Sequence, residues 1–413
     1  MRQRTTMTEQ SEQREFQGEL AHRVWQSIVV GPEAWRHERA YDYCPCCDAV
    51  QPRWVGAPPE CSRCGQRNLD TIFTAMRRRL ERAWDFCEAT RLSPDRWLFR
   101  HSPDAADYSL WSTAVMALGC YAELRGLGID SPWGNDEAVL RAWRKEIEAH
   151  LDPTTGLLRG TEEDEARASD LQKTDQYISN GYSRVLQKCK RVGLISADEK
   201  VYEIPIASST RSDPLRSAEA LAAYIESERE HWRTNPWSAG SWMWTVVTAH
   251  RSRRREAGLD PDDECVRRAH AWLDKKQDPA TGAWGGEQAP HHVVVNGIFK
   301  VLSLYNDCGW PVRRQDQIVD FVLGGADRQR GFPGSGCTVF DPIMVLYVLR
   351  ENGCSHRREE ADLATARSCL TFLDNWDESI NWYHGGNWNG KHNNGIPAFM
   401  AMLLLQRDTT ERK

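Results

Sequence analysis

The sequence predicts an all-α fold, an α/α toroid of helical-hairpin repeats preceded by a small cysteine-rich module. Three observations predict it. From Thr71 onward apolar residues recur at helical spacing, and alternating β-branched runs are scarce. A turn bearing Asp-Pro and Thr-Gly is reused between helices. Helices apolar on nearly every face, which must be buried, alternate with amphipathic ones that need bury only one stripe. The expected division is a polar N-terminus with a short helix over 1–39, the cysteine module over 40–68 and the toroid over 69–413.

The first 20 residues are polar, and "ELAHRVWQSIVV" then reads as a short helix. Nothing near the N-terminus supplies the ~7–15-residue apolar core of a secretion signal. No window reaches the ~18 uncharged apolar residues of a membrane span. A cytoplasmic protein is therefore expected, and its 13 cysteines read as reduced thiols and metal ligands, not a disulfide framework. The net charge of −6 argues against nucleic acid as the main partner. The run "RSRRRE", Arg251 to Glu256, reads as the solvated end of a helix.

In "YDYCPCCDAVQPRWVGAPPECSRCGQRN", Pro, Gly and Cys break all apolar periodicity. Cys44-Pro-Cys46-Cys47 and Cys61-Ser-Arg-Cys64 form two Cys-x-x-Cys knuckles if Cys44 pairs with Cys47. That spacing presents four thiolates tetrahedrally and leaves no open coordination position, so a structural Zn²⁺ is expected on Cys44, Cys47, Cys61 and Cys64. The module resembles a zinc ribbon and offers a surface for a protein partner. Cys46 is a spare that could replace Cys44 or Cys47.

In the helical region "LDPTTGLLRG", Leu151 to Gly160, matches "QDPATGAWGG", Gln277 to Gly286. Pro ends helical hydrogen bonding, and Gly supplies the positive φ that reverses the chain. "ADRQRGFPGSG", Ala326 to Gly336, is a looser copy. After two of these turns come "DQYISNGYSRVL" and "HHVVVNGIFKVL", which share Asn-Gly at Asn180 and Asn296. These asparagines recur in register and read as structural. The segment "RAHAWLDKKQDPATGAW", Arg268 to Trp284, resembles the QW repeat of the terpenoid cyclase and protein prenyltransferase superfamily. The resemblance implies an α/α toroid in which Gln277 and Trp284 tie a helix to the following turn. It is more specific for fold than for reaction, and it covers roughly residues 90–407 as an architecture.

The string "LDPDDE" places Asp260, Asp262 and Asp263 in a pattern similar to the acid motif of class II terpene cyclases. Here it opens an amphipathic helix, where first-turn carboxylates serve capping and the helix dipole. A site is expected instead at the rim where the buried helices begin. Asp175, Tyr177, His291, His292, Asp341 and His392 are the candidate catalytic groups. Asp107, Tyr108, Gln176, Trp242, Cys337, His384, Trp388 and Asn394 are candidate ligand-binding groups. Converging helix N-termini favour Asp as a base and His as a neutral donor. Asp341, directly before Pro342, equally suits an N-cap.

The expected function is acid–base chemistry on a small organic ligand by an enzyme resembling terpenoid cyclases and prenyltransferases. Two alternatives stand beside it: a carbohydrate-active lyase or hydrolase for acidic sugars, and a non-catalytic binding scaffold.

Overall fold

The computed structural model describes residues 41–44, 46–47, 49–52, 60–66, 70–126, 128–167, 175–202, 215, 217–334, 337–383 and 388. The short helix expected before residue 39 lies outside them. In chain order the elements begin with β1 (Tyr41–Cys44), β2 (Ala49–Pro52), β3 (Asp70–Thr71), α1 (Ile72–Leu80) and α2 (Ala83–Thr90). A π-helical stretch, Ser112–Ala117, runs into α3 (Leu118–Gly126). Then follow α4 (Asp136–Glu148), α5 (Glu162–Arg167), α6 (Asp175–Arg191), α7 (Ala218–Ser227), α8 (Arg229–Thr234) and α9 (Pro236–Glu256). The chain continues with α10 (Glu264–Lys276), α11 (His291–Cys308), α12 (Gln315–Leu323), α13 (Cys337–Glu351) and α14 (Arg358–Asp374). A short hairpin of β4 (Trp376–Asp377) and β5 (Trp382–Tyr383) closes the described chain. The described residues are mainly helical, as the periodicity requires, and none of their helices is long and apolar enough to cross a membrane.

Two compact units are present. The first comprises 1–27, 211–328 and 337–364, and the second 28–210, 329–336 and 365–413. In the first unit α9 packs on α11 and α11 on α13. Helix α13 is buried almost throughout from Val339 to Leu349, whereas α10 buries only the stripe Val266, Ala269 and Leu273. From α10 to α13, half-buried and buried helices alternate. The second unit carries an antiparallel sheet of order β2-β1-β3, followed by α1 to α6. Its core includes Trp84, Tyr121 and Trp143, and the half-buried Trp133 stacks or meets them edge-on.

The reused turn has a common hydrogen-bond plan. Asp278 N–H donates to Ala283 O and Gly282 N–H to Asp278 O, while Asp278 Oδ1 accepts from the N–H groups of Ala280 and Thr281. Asp152 repeats every contact with Leu157, Gly156, Thr154 and Thr155. Gly156 and Gly282 hold φ of 68° and 71°, a conformation that disfavours a β-carbon. A copy that sequence inspection missed runs from Trp376 to Tyr383. There Asp377 Oδ1 accepts from Ser379 N–H, and Asn381 takes the glycine's place at φ 51°. Asn is the residue that best tolerates that region after Gly, so the turn survives without its signature.

At the Gln277 turn the side chains form a tie. Gln277 Nε2 donates to Gly282 O and Arg313 O, and Trp284 Nε1 donates to Leu273 O one helical turn before the end of α10. Both side chains are buried. The Leu151 copy lacks these groups and is held by backbone bridging of Leu151 with Leu158.

The Asn-Gly pairs have a packing reason. A β-carbon on Gly297 would lie 2.9 Å from the backbone of Pro236, where α9 begins. One on Gly181 would meet Val115 of the π-helical stretch at 2.7 Å. In both units the glycine lets the preceding buried helix approach closely. Asn296, with its amide oriented to satisfy its neighbours, donates to His292 O at 3.0 Å and to Cys337 O at 3.3 Å, tying α11 to the start of α13. The side chain of Asn180 lies outside the described set.

Candidate functional site

The cysteine centre is local in origin. Strand β1 ends on Cys44 and the turn to β2 carries Cys47, while a second tight turn carries Cys61 and Cys64. Gly65 N–H closes that turn on Cys61 O. The four sulfurs lie within 4.8 Å of one another, with Cys44 to Cys64 at 3.6 Å and Cys47 to Cys61 at 3.5 Å. A tetrahedral zinc with Zn–S near 2.3 Å requires sulfur separations of about 3.8 Å, so the donor set could hold such a metal ion. Burial disfavours the Cys61 thiolate, but the backbone N–H groups of Arg63 and Cys64, with Cys47, outweigh it and bring the thiol down to about 7. Burial pushes Cys44 the other way. Cys46 is exposed and stands outside the group, which takes in Cys44, Cys47, Cys61 and Cys64. The sheet also takes in Asp70–Thr71, past the expected module boundary at residue 68.

The second site lies within the first unit, where α11 faces α13. Asp341 is fully buried and is the fifth residue of α13, with Pro342 also inside the helix. The alternative that Asp341 is an N-cap is thereby corrected, because the helix begins four residues earlier at Cys337. Lys300 of α11 places Nζ 3.8 Å from Asp341 Oδ2 and 4.4 Å from the Phe299 ring centroid. Phe340 meets Phe299 edge-on at 5.6 Å. Asp341 Oδ1 has no hydrogen-bond partner among the described residues. Burial in this apolar setting raises the carboxyl and Lys300 draws it partly back, leaving it at about 7. Cys337, one helical turn before it, is pushed up to about 12 by burial and by the Asp341 charge. An acid that is neutral in part at neutral pH, with a cation poised for its conjugate base, can donate and recover a proton.

The Asp260 string has a different fate. Asp263 is the N-cap of α10, accepting from Val266 N–H at 3.0 Å, and it also meets His250 Nε2 at 2.9 Å. Burial works against its ionisation, yet Val266 N–H, His250 and Arg254 together hold its carboxyl below the usual range. Asp262 receives both Nε and Nη2 of Arg251. Asp260 Oδ1 accepts from Asp262 N–H. All three are occupied in capping and ion pairing at the junction of α9 and α10.

The remaining candidates divide between the units. In the first, His291 is exposed, stacks on Phe321 at 4.6 Å and hydrogen-bonds Phe321 O at 2.8 Å, so its ring secures the end of α12. His292 is exposed, and its carbonyl serves Asn296. Trp242 is half-buried on α9. In the second unit Asp107 is exposed and accepts from Tyr108 N–H, while Tyr108 OH lies 3.3 Å from His150 Nε2. Asp175, at the start of α6, accepts from Gly160 N–H of the reused turn. Gln176 and Tyr177 continue α6, with side chains outside the described set. Trp388 is fully buried against Phe86 and Trp382. His384, His392 and Asn394 lie outside the described residues. Sequence reasoning missed Lys300 as a site residue, although it holds the basic position shared by the two Asn-Gly segments, Arg184 in the other copy.

No protein-family model matches the chain, and no curated protein matches it. Among solved structures it is similar to the type II terpene cyclase MstE from Scytonema in two variant forms. The one holding the product merosterolic acid A is 10% identical, with 95% of this chain and 98% of that chain covered and a TM-score of 0.27. The one holding the substrate geranylgeranyl dihydroxybenzoate is 10% identical, with 95% and 99% covered and a TM-score of 0.25.

Proposed function

We propose that residues 69–413 form an α/α-toroid enzyme that performs acid–base chemistry on a small organic ligand, with Asp341 as proton donor. The observation that carries this reading is the buried Asp341 carboxyl, with Oδ1 unpartnered and its proton held up to about pH 7. A buried polar atom left unsatisfied costs about 1–3 kcal/mol, and such a cost is characteristic of sites where the group has work to do. In this role Asp341 gives its proton to an electron-rich carbon or a carbonyl oxygen. Lys300 stabilises the carboxylate that remains, and Phe299 and Phe340 provide an apolar surround. That setting suits an apolar substrate better than an acidic sugar. The cysteine centre is assigned a structural Zn²⁺ on Cys44, Cys47, Cys61 and Cys64, where it fixes the fold of its module.

The test is to incubate the purified chain with a panel of linear polyprenyl compounds, alkenes and uronate oligosaccharides, and to follow products by mass spectrometry. Conversion of an apolar member that disappears in Asp341→Asn is the expected result. Conversion unaffected by Asp341→Asn, or confined to the uronates, overturns the assignment. For the metal, elemental analysis in reducing buffer is expected to find one zinc per chain, lost when Cys61 and Cys64 are replaced by Ser.

A further inference from the structure

Against the cysteine centre, within the second unit, lies a cavity of about 500 Å³. Three guanidinium groups line it, brought from segments far apart in sequence: Arg63 from the second knuckle, Arg330 from the looser copy of the reused turn and Arg367 from α14. Ser62 and Gln329 add polar groups, and no carboxylate is among the described lining residues. Arg63 Nη1 donates to Cys47 O at 3.3 Å, so the knuckle itself sets the position of this side chain. Asp374 accepts from Arg330 Nη1 and braces the second guanidinium from outside the lining.

Each guanidinium carries several N–H donors, so the bonds from Arg63 to Cys47 O and from Arg330 to Asp374 leave further donors for a ligand, and together the three groups offer an anion charge-assisted hydrogen bonds from three separate segments. Guanidinium is planar and offers paired N–H groups at the spacing of two phosphate oxygens. The volume falls within the ~300–1,000 Å³ typical of small-molecule pockets. It exceeds the need of a single inorganic ion.

We infer that this cavity binds a phosphate-bearing small molecule, with Arg63, Arg330 and Arg367 as its phosphate ligands. Because Arg63 and Ser62 sit between Cys61 and Cys64, ordering of the knuckle also orders the binding site. The inference is independent of Asp341 and of the toroid reading.

Calorimetric titration of the full chain, supplied with zinc in reducing buffer, with inorganic pyrophosphate at constant ionic strength tests it. Saturable binding of one pyrophosphate per chain is expected, weakened about tenfold or more by Arg63→Gln and by Arg367→Gln. Arg63→Lys, which keeps the charge but not the fork, is expected to fall between Arg63→Gln and the parent. Each variant should retain the parent's zinc content by elemental analysis. Absence of saturable binding, or equal binding by the Gln variants, overturns the proposal. Zinc lost from those variants would assign the arginines to balancing the thiolate charge and would overturn it too. Citrate binding as tightly as pyrophosphate would exclude phosphate as the recognised group.

Discussion

The first unit contains an acidic string and a solitary aspartate, and their surroundings are opposite. Asp260, Asp262 and Asp263 sit at the junction of α9 and α10 with Arg251, Arg254, His250 and a helix N-terminus to receive their charge. Asp341 is fully buried, with one cation at 3.8 Å and an oxygen that has no partner among the described residues. The string carries the more suggestive pattern, and the solitary residue the more desolvated carboxyl. A carboxylate surrounded by donors is stabilised as the anion and is a poor acid, whereas a desolvated one keeps its proton to higher pH.

The sharpest way to break this contrast is Asp341→Asn. Once a substrate is in hand, turnover is expected to fall by ~10²–10⁴-fold, the range for a lost acid, with helical circular dichroism unchanged. Asp260→Asn in the same assay is expected to leave turnover unaltered.

The pH dependence of stability separates the same residues a second way. From about pH 4 to 7 the folded chain keeps the Asp341 proton while the unfolded chain releases it, so this residue's contribution to stability declines as pH rises and is lost above 7. Denaturant unfolding should therefore show the parent losing ground to Asp341→Asn between pH 4 and pH 8, by on the order of a few kcal/mol. Asp263 has the opposite sign, since its carboxyl is held below the usual range and its contribution is lost as pH falls through that depressed value.

Smaller effects grade the string itself. Asp263→Ala removes an N-cap and is expected to cost about 0.5–2 kcal/mol. Asp262→Asn leaves the buried Arg251 with Asp307 O as its other acceptor, and a loss of about 1–2 kcal/mol is expected, below a fully buried pair because Asp262 is 37% exposed. Asp260→Asn, at a side chain 56% exposed, should stay within about 0.5 kcal/mol. Urea midpoints of the three single variants check the order, and a cost for Asp260 as large as that for Asp263 would show that the string acts as a unit.

Much of this was legible in the sequence because it depends on residues only a few positions apart. The knuckle spacing, the helical class, the Asp-Pro-x-Thr-Gly turn and the capping role of Asp263 all follow from local geometry, where the partner group is a backbone N–H two or three residues on. The limit of that legibility shows at Trp376 to Tyr383, where Asn381 in a left-handed conformation replaces glycine and the same turn forms without its usual letters. Only the tertiary structure decided which aspartate keeps an oxygen without a hydrogen-bond partner among the described residues, that Lys300 is its neighbour, that Trp388 is buried, that Cys46 stands apart from the four clustered cysteines, and that three arginines share one cavity. Each of these rests on burial or on contacts between segments tens to hundreds of residues apart. Local spacing fixes what a side chain can donate or accept, but desolvation and long-range pairing set its charge state and its use.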